Sequence, residues 1–109
     1  MTTMFKPPHP DETWHPGMHD PSTPGEILVG WLEGLDMSMT AFAAHVGISR
    51  VMLSRILNGH AAVTADMDLR LHEALGTSPG YWLRLQTQRD LWAARQRAKD
   101  RAPVPRLTA

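Results

Sequence analysis

Apolar residues recur along this chain every three or four positions in separate runs, and no run alternates apolar with polar residues over the length of a strand. In "STPGEILVGWLEGLDMS", Ile27, Leu28, Trp31, Leu32 and Leu35 repeat at helical spacing. Thr23 can cap them, Pro24 fits the first helical position and Glu26 completes a T-x-x-E capping box. Ser38 then caps "MTAFAAHV", where Phe42, Ala43 and Val46 form an inward stripe and Gly47 can leave the helix with positive φ. Ser49 caps a third segment, which "NGH" at Asn58–His60 ends. Thr64 opens a fourth, "TADMDLRLHEALG", with Asp66 set against the positive helix end, Leu69, Leu71 and Leu75 as its apolar residues, and Gly76 as its stop. Ser78 and Pro79 are expected to begin the last helix, "GYWLRLQTQRDLWAARQRAK". The pattern predicts an all-α fold.

Residues 1–22 show no such period. They are rich in Pro and His, which predicts a flexible arm ahead of one domain at 23–100, with a flexible tail at 101–109. With 109 residues and 42% hydrophobic content, one modest core is expected. There is no cysteine, hence no disulfide framework and no Cys-ligated zinc. No apolar run approaches a membrane span, and the amino terminus lacks the order of a secretory signal, so a cytoplasmic protein is expected. His9, His15 and His19 raise the question of a metal. The surrounding prolines oppose the helix that would align His15 with His19, and a mobile polar tail is the simpler reading, with no metal or other cofactor expected.

Charge changes the picture more than composition does. The formal net charge is zero, but residues 1–36 set one lysine against six acids, and residues 84–109 set seven basic residues against two acids. Between Asp36 and Asp66 the only charged side chains are Arg50 and Arg55. At about 100° per residue, Ser49, Leu53, Ile56 and Leu57 fall on one side of the third helix. Arg50, Val51, Ser54, Arg55 and Asn58 fall within an arc of roughly 140° on the other. Hydrogen-bond donors, small residues and one methyl-bearing side chain make up the inventory that reads base edges and phosphates in a major groove, although any surface helix is polar outside.

The preceding helix sharpens this. Counted from Met39, apolar residues stand at the fourth, eighth, tenth, fifteenth and eighteenth places (Phe42, Val46, Ile48, Leu53, Ile56), with Ala43 at the fifth and Gly47 at the ninth. That is the helix-turn-helix pattern: the small residue lets two helices cross closely, the glycine makes the turn, and the apolar set joins the pair into one unit from which the second helix projects.

Beyond the motif, Pro24 to Trp92 resembles the HigA family of antitoxins, within the λ-repressor-like (Xre) group, through "PGEIL", "SRILNG", "TADMDLRL" and "LGTSPGYWLRLQ". The resemblance implies a five-helix, usually dimeric bacterial repressor of its own operon that neutralises a HigB-type toxin, an mRNA-cleaving ribonuclease of the RelE kind. Two departures stand out: the arm precedes the usual start, and "SRVMLSR" replaces the glutamine or threonine of many relatives, so no operator sequence carries over.

Residue by residue, the resemblance implies that Arg50 and Val51 read bases at the start of the recognition helix, that Ser54 and Arg55 act one turn on, and that Asn58 holds phosphate. Arg50 and Arg55 are both open to a phosphate contact in place of a base contact, Arg55 the more so. Thr40 and Ser49, at helix amino termini, can add phosphate contacts, and His60 can approach phosphate. Tyr81, Trp82, Leu85 and Trp92 give more apolar surface than one small core needs, so a dimer interface is expected on the last helix, although the core could absorb some of them. Met37, Met39, Met52 and Met67 are expected at the core rim, and Asp66 and Asp68 as capping and solvated charges. His45, His60 and His72 have no Ser or carboxylate arranged for catalysis, so no enzyme is expected.

The partners expected are double-stranded operator DNA, a toxin and a second copy of the chain. A regulator without a toxin is the alternative, and a purely protein-binding module using the acidic arm is a third. Phe5 and Trp14 in that arm suit folding onto a cationic partner, against the simpler reading of a dispensable tail.

Overall fold

The computed structural model describes residues 21–108, and the expectations resting on Phe5, His9, Trp14, His15 and His19 lie outside them. The described residues form α1 (Pro24–Leu35), α2 (Met39–Val46), α3 (Arg50–Leu57), α4 (Ala65–Leu75) and α5 (Tyr81–Ala98), with no strand among them. The first four start where a hydroxyl was expected to cap. Thr23, Ser38, Ser49 and Thr64 each accept a hydrogen bond from the backbone N–H three residues on, at 3.0–3.2 Å. Gly47 ends α2 at φ 78°, where its N–H reaches the carbonyls of Ala43 and Ala44. Asp36, the one non-glycine residue at positive φ among those described, ends α1 at φ 54°. An aspartate tolerates this left-handed position better than most side chains.

The start of the last helix differs from expectation. Ser78 and Pro79 stay outside it, and α5 begins at Tyr81 behind Gly80, which offers no side-chain cap. The cap comes from another helix. The Asp68 carboxylate on α4 accepts hydrogen bonds from the N–H groups of Gly80 (2.6 Å), Trp82 (2.9 Å) and Leu83 (3.3 Å). Asp68 is only 1% exposed, so the expectation of a solvated charge is corrected. A carboxylate can be held in the interior because three N–H donors of a positive helix end replace its water. Asp66 does lie at the surface, paired with Arg70.

Core side chains come from all five helices. Leu28 and Leu32, Phe42 and Ala43, Leu53 and Ile56, Met67 and Leu71, and Trp82 with Leu85 are buried together, and Val63 of the α3–α4 loop joins them. This packing fixes α3 in place, because α3 lies against both α1 and α2 and sinks Leu53 and Ile56 into the centre. Closeness at one point depends on Gly25. A Cβ there would stand 2.4 Å from the carbonyl oxygen of Ile56 and 2.6 Å from that of Leu57, so the start of α1 rests on the backbone at the end of α3.

Some expected core positions move. Leu69 is 50% exposed and Met67 takes its place inside, while Leu35 and Met52 also face outward. Larger in consequence is the aromatic cluster. Tyr81, Trp82 and Leu85 are buried in the chain's own core, so they offer no surface to a second copy, and of the four residues expected at a dimer interface only Trp92 stays part-exposed. The core can absorb the largest of them, Trp82, because its indole N–H finds Thr77 Oγ1 at 2.9 Å, which leaves no polar atom of the ring unsatisfied. Burial pushes the Tyr81 phenol above its ordinary pKa, an effect that the nearby Arg84 partly offsets.

Candidate nucleic-acid interface

The surface of α3 is built by its neighbours. Ser38 and Gly47 fix the two ends of α2, and Ser49 starts α3 only two residues after Gly47. A three-residue link of this kind leaves the second helix little freedom against the first. With Leu53 and Ile56 buried, the opposite face is driven outward, and the structure brings Arg50, Val51, Ser54, Arg55 and Asn58 onto it as the helical period requires. Ser54 is half-buried and the other four are exposed. Thr40 is also exposed at the second position of α2, and Ser49 is exposed while its hydroxyl accepts from the Met52 N–H.

The two arginines are held differently. No described residue holds the Arg50 guanidinium, which extends from the first position of α3. Arg55 turns back instead: its Nη2 donates to the His60 carbonyl at 3.3 Å, and its own carbonyl accepts from the N–H groups of His60 (2.8 Å) and Ala61 (3.2 Å). Asn58 likewise folds onto the helix, donating from Nδ2 to the Ser54 carbonyl at 2.9 Å and to its hydroxyl at 3.4 Å. The carboxyl end of the face is thus organised by internal bonds, and the amino end is open. At that open end, next to Arg50, stands Val51, 71% exposed. An aliphatic side chain so placed gains nothing from the fold, and its methyl groups are free for apolar contact with a base edge.

Two residues that sequence reasoning passed over support this face. Gly25 is the first, through the close approach at the end of α3. Arg70 of α4 is the second. It donates from Nη1 to the Val46 carbonyl at 2.8 Å and the Gly47 carbonyl at 3.4 Å, and from Nε to Asp66 Oδ2 at 2.8 Å. The Asp66–Arg70 spacing was visible as an i, i+4 pair, but the carbonyl acceptor lies 24 residues upstream and leaves no local signal.

The remaining histidines have structural or open positions. His72 Nδ1–H donates to the Thr77 carbonyl at 2.5 Å, closing the turn after α4, and His45 and His60 are exposed. Among the described residues no group of three His, Cys, Asp or Glu side chains is placed to hold a metal, and no single helix is long and apolar enough to cross a membrane.

Comparison with known proteins places this geometry in context. A family model described as helix-turn-helix matches residues 31–82. The antitoxin HigA-1 of Vibrio cholerae is 36% identical over 83 residues, which cover 75% of this chain and 78% of that protein. The antitoxin GraA solved in complex with its operator superposes with a TM-score of 0.76 at 38% identity, covering 88% of this chain and 99% of that one. The HigA antitoxin of Pseudomonas aeruginosa, solved with the higBA promoter, superposes with a TM-score of 0.72 at 28% identity, covering 80% of this chain and 98% of the other.

Proposed function

Since this chain belongs to the HigA family of helix-turn-helix antitoxins, we propose that it is a DNA-binding antitoxin that represses its own operon by placing α3 in the major groove. The observation that carries this reading is the outward face of α3, which combines an unheld arginine, an exposed valine and a second arginine with no acid on the helix. Arg50 and Val51 read base edges. Arg55, braced against the His60 carbonyl, grips phosphate together with Asn58. Thr40, Ser49 and Ser54 add hydroxyl and backbone N–H contacts to the phosphates at the helix starts and along the face.

One α3 reads too few base pairs to select a site, so the functional unit is a two-fold dimer on half-sites about 34–36 Å apart. With Tyr81, Trp82 and Leu85 inside the core, the pairing surface belongs to the outer half of α5, where Trp92 is part-exposed and Leu91 is 48% exposed. The second partner is a HigB-type toxin encoded beside it, and the protein acts in the cytoplasm.

Binding to the duplex upstream of its own gene, titrated over about 50–200 mM salt against a scrambled duplex, tests the DNA reading. Preference for the upstream sequence is expected. Equal affinity for both duplexes would refute it. Arg55→Ala should weaken binding on both sequences and flatten the salt slope by about one unit. Co-purification with the neighbouring gene product tests the antitoxin role, and light scattering tests the dimer.

A further inference from the structure

We propose that Arg70 is a positioning residue for DNA recognition: from α4 it fixes the turn between α2 and α3, and with it the angle at which Arg50 and Val51 meet the groove, without touching DNA itself. This rests on the sequence-specific DNA-binding reading above.

The last carbonyls of a helix have no partner within it, and α2, with eight residues, has only His45 as a basic residue in its last turn. Arg70 supplies the missing donor from outside. Its Nη1 reaches the Val46 carbonyl at 2.8 Å and the Gly47 carbonyl at 3.4 Å, bringing positive charge to the negative end of α2. The other edge of the guanidinium is taken by Asp66, at 2.8 Å from Nε. The planar fork is engaged on two edges at once, and a lysine, with one compact ammonium, does not reproduce both contacts in this geometry. The fit to the turn is close: a Cβ at Gly47 would lie 2.7 Å from Nη1. Ser49, which starts α3, is two residues beyond Gly47, and Arg50 is the next. A shift of the turn therefore becomes a rotation of the face that reads DNA.

The Asp66 half of the arrangement adds little to stability. The Asp66–Arg70 pair is exposed, with side chains 40% and 76% accessible on Arg70 and Asp66, and exposed pairs contribute little. What the pair does is hold the guanidinium in the plane that the two carbonyls require.

The test uses the full chain as wild type, Arg70→Met, Arg70→Lys and Asp66→Asn, at a temperature where thermal melts show all four folded. Affinity is measured for the upstream duplex and for a scrambled one across salt. Arg70→Met is expected to reduce the preference for the upstream duplex by about tenfold, the worth of one good base contact, with binding to the scrambled duplex and the salt slope unchanged. Arg70→Lys is expected to recover part of the preference, and Asp66→Asn to fall between Arg70→Lys and wild type. A flattening of the slope by about 0.9 with loss on both duplexes would mean that Arg70 contacts phosphate directly, and would overturn the proposal. So would an unchanged preference with a lowered melting temperature, which is the mark of a purely structural residue. If wild type itself shows no preference, the DNA-binding reading fails and this one fails with it.

Discussion

Between α2 and α3 the chain changes direction in three residues, Gly47 to Ser49, and between α4 and α5 in five, Gly76 to Gly80. At the first junction most of the backbone groups are met locally: Gly47 closes α2 on its own last turn and the Ser49 hydroxyl starts α3. At the second junction α5 has no side-chain cap of its own: the Tyr81 N–H finds the Ser78 carbonyl, but those of Gly80, Trp82 and Leu83 are met by Asp68, more than ten residues upstream and buried. A local cap forms with the helix it starts. A remote one exists only once the two helices have docked. Stability at the second junction is therefore tertiary, and α5 is expected to be lost with the core as one unit.

The largest effect expected follows from breaking that remote cap. Asp68→Ala removes the acceptor of three N–H groups in a buried place and should cost about 3 kcal/mol of unfolding free energy in urea titration. Asp68→Asn keeps one acceptor oxygen and should fall between alanine and wild type. A loss below about 1 kcal/mol would put the α4–α5 junction in the same class as the other. Next in size is Arg50→Ala, which should weaken binding to the upstream duplex by about 1–3 kcal/mol while leaving the melting temperature unchanged. A changed melting temperature would mean that Arg50 belongs to the fold. Ser49→Ala removes a local cap and should cost about 1 kcal/mol of stability, measured by the same urea titration. The smallest is Asp66→Asn, whose exposed ion pair should alter stability by less than about 1 kcal/mol even where DNA preference changes.

The same contrast decides what the sequence could show. Four helix starts were legible because Thr23, Ser38, Ser49 and Thr64 each cap a backbone N–H three residues ahead. The face of α3 was legible because helical period alone sorts Leu53 and Ile56 from Arg50, Val51 and Arg55. Ser78 and Pro79 misled because they have the chemistry of a helix start, while the actual acceptor lies on another helix. Tyr81, Trp82 and Leu85 looked surplus to a small core, because nothing local shows that Thr77 would satisfy the Trp82 indole and let the ring go inside. Arg70 was passed over, because the carbonyl it holds is brought near only by the packing of α2 on α4.

Val51 and Arg50, at the amino end of the α3 face, stand apart from the buried cluster that holds the helix in place. Substitutions at surface positions of this kind usually change stability by less than about 0.5 kcal/mol. On the proposed reading of these two residues, the DNA address can therefore diverge at little risk to folding. Where a genome carries two copies of a gene like this one, a few exchanges on one turn of helix would be enough to insulate each copy from the other's promoter, long before their cores had drifted apart.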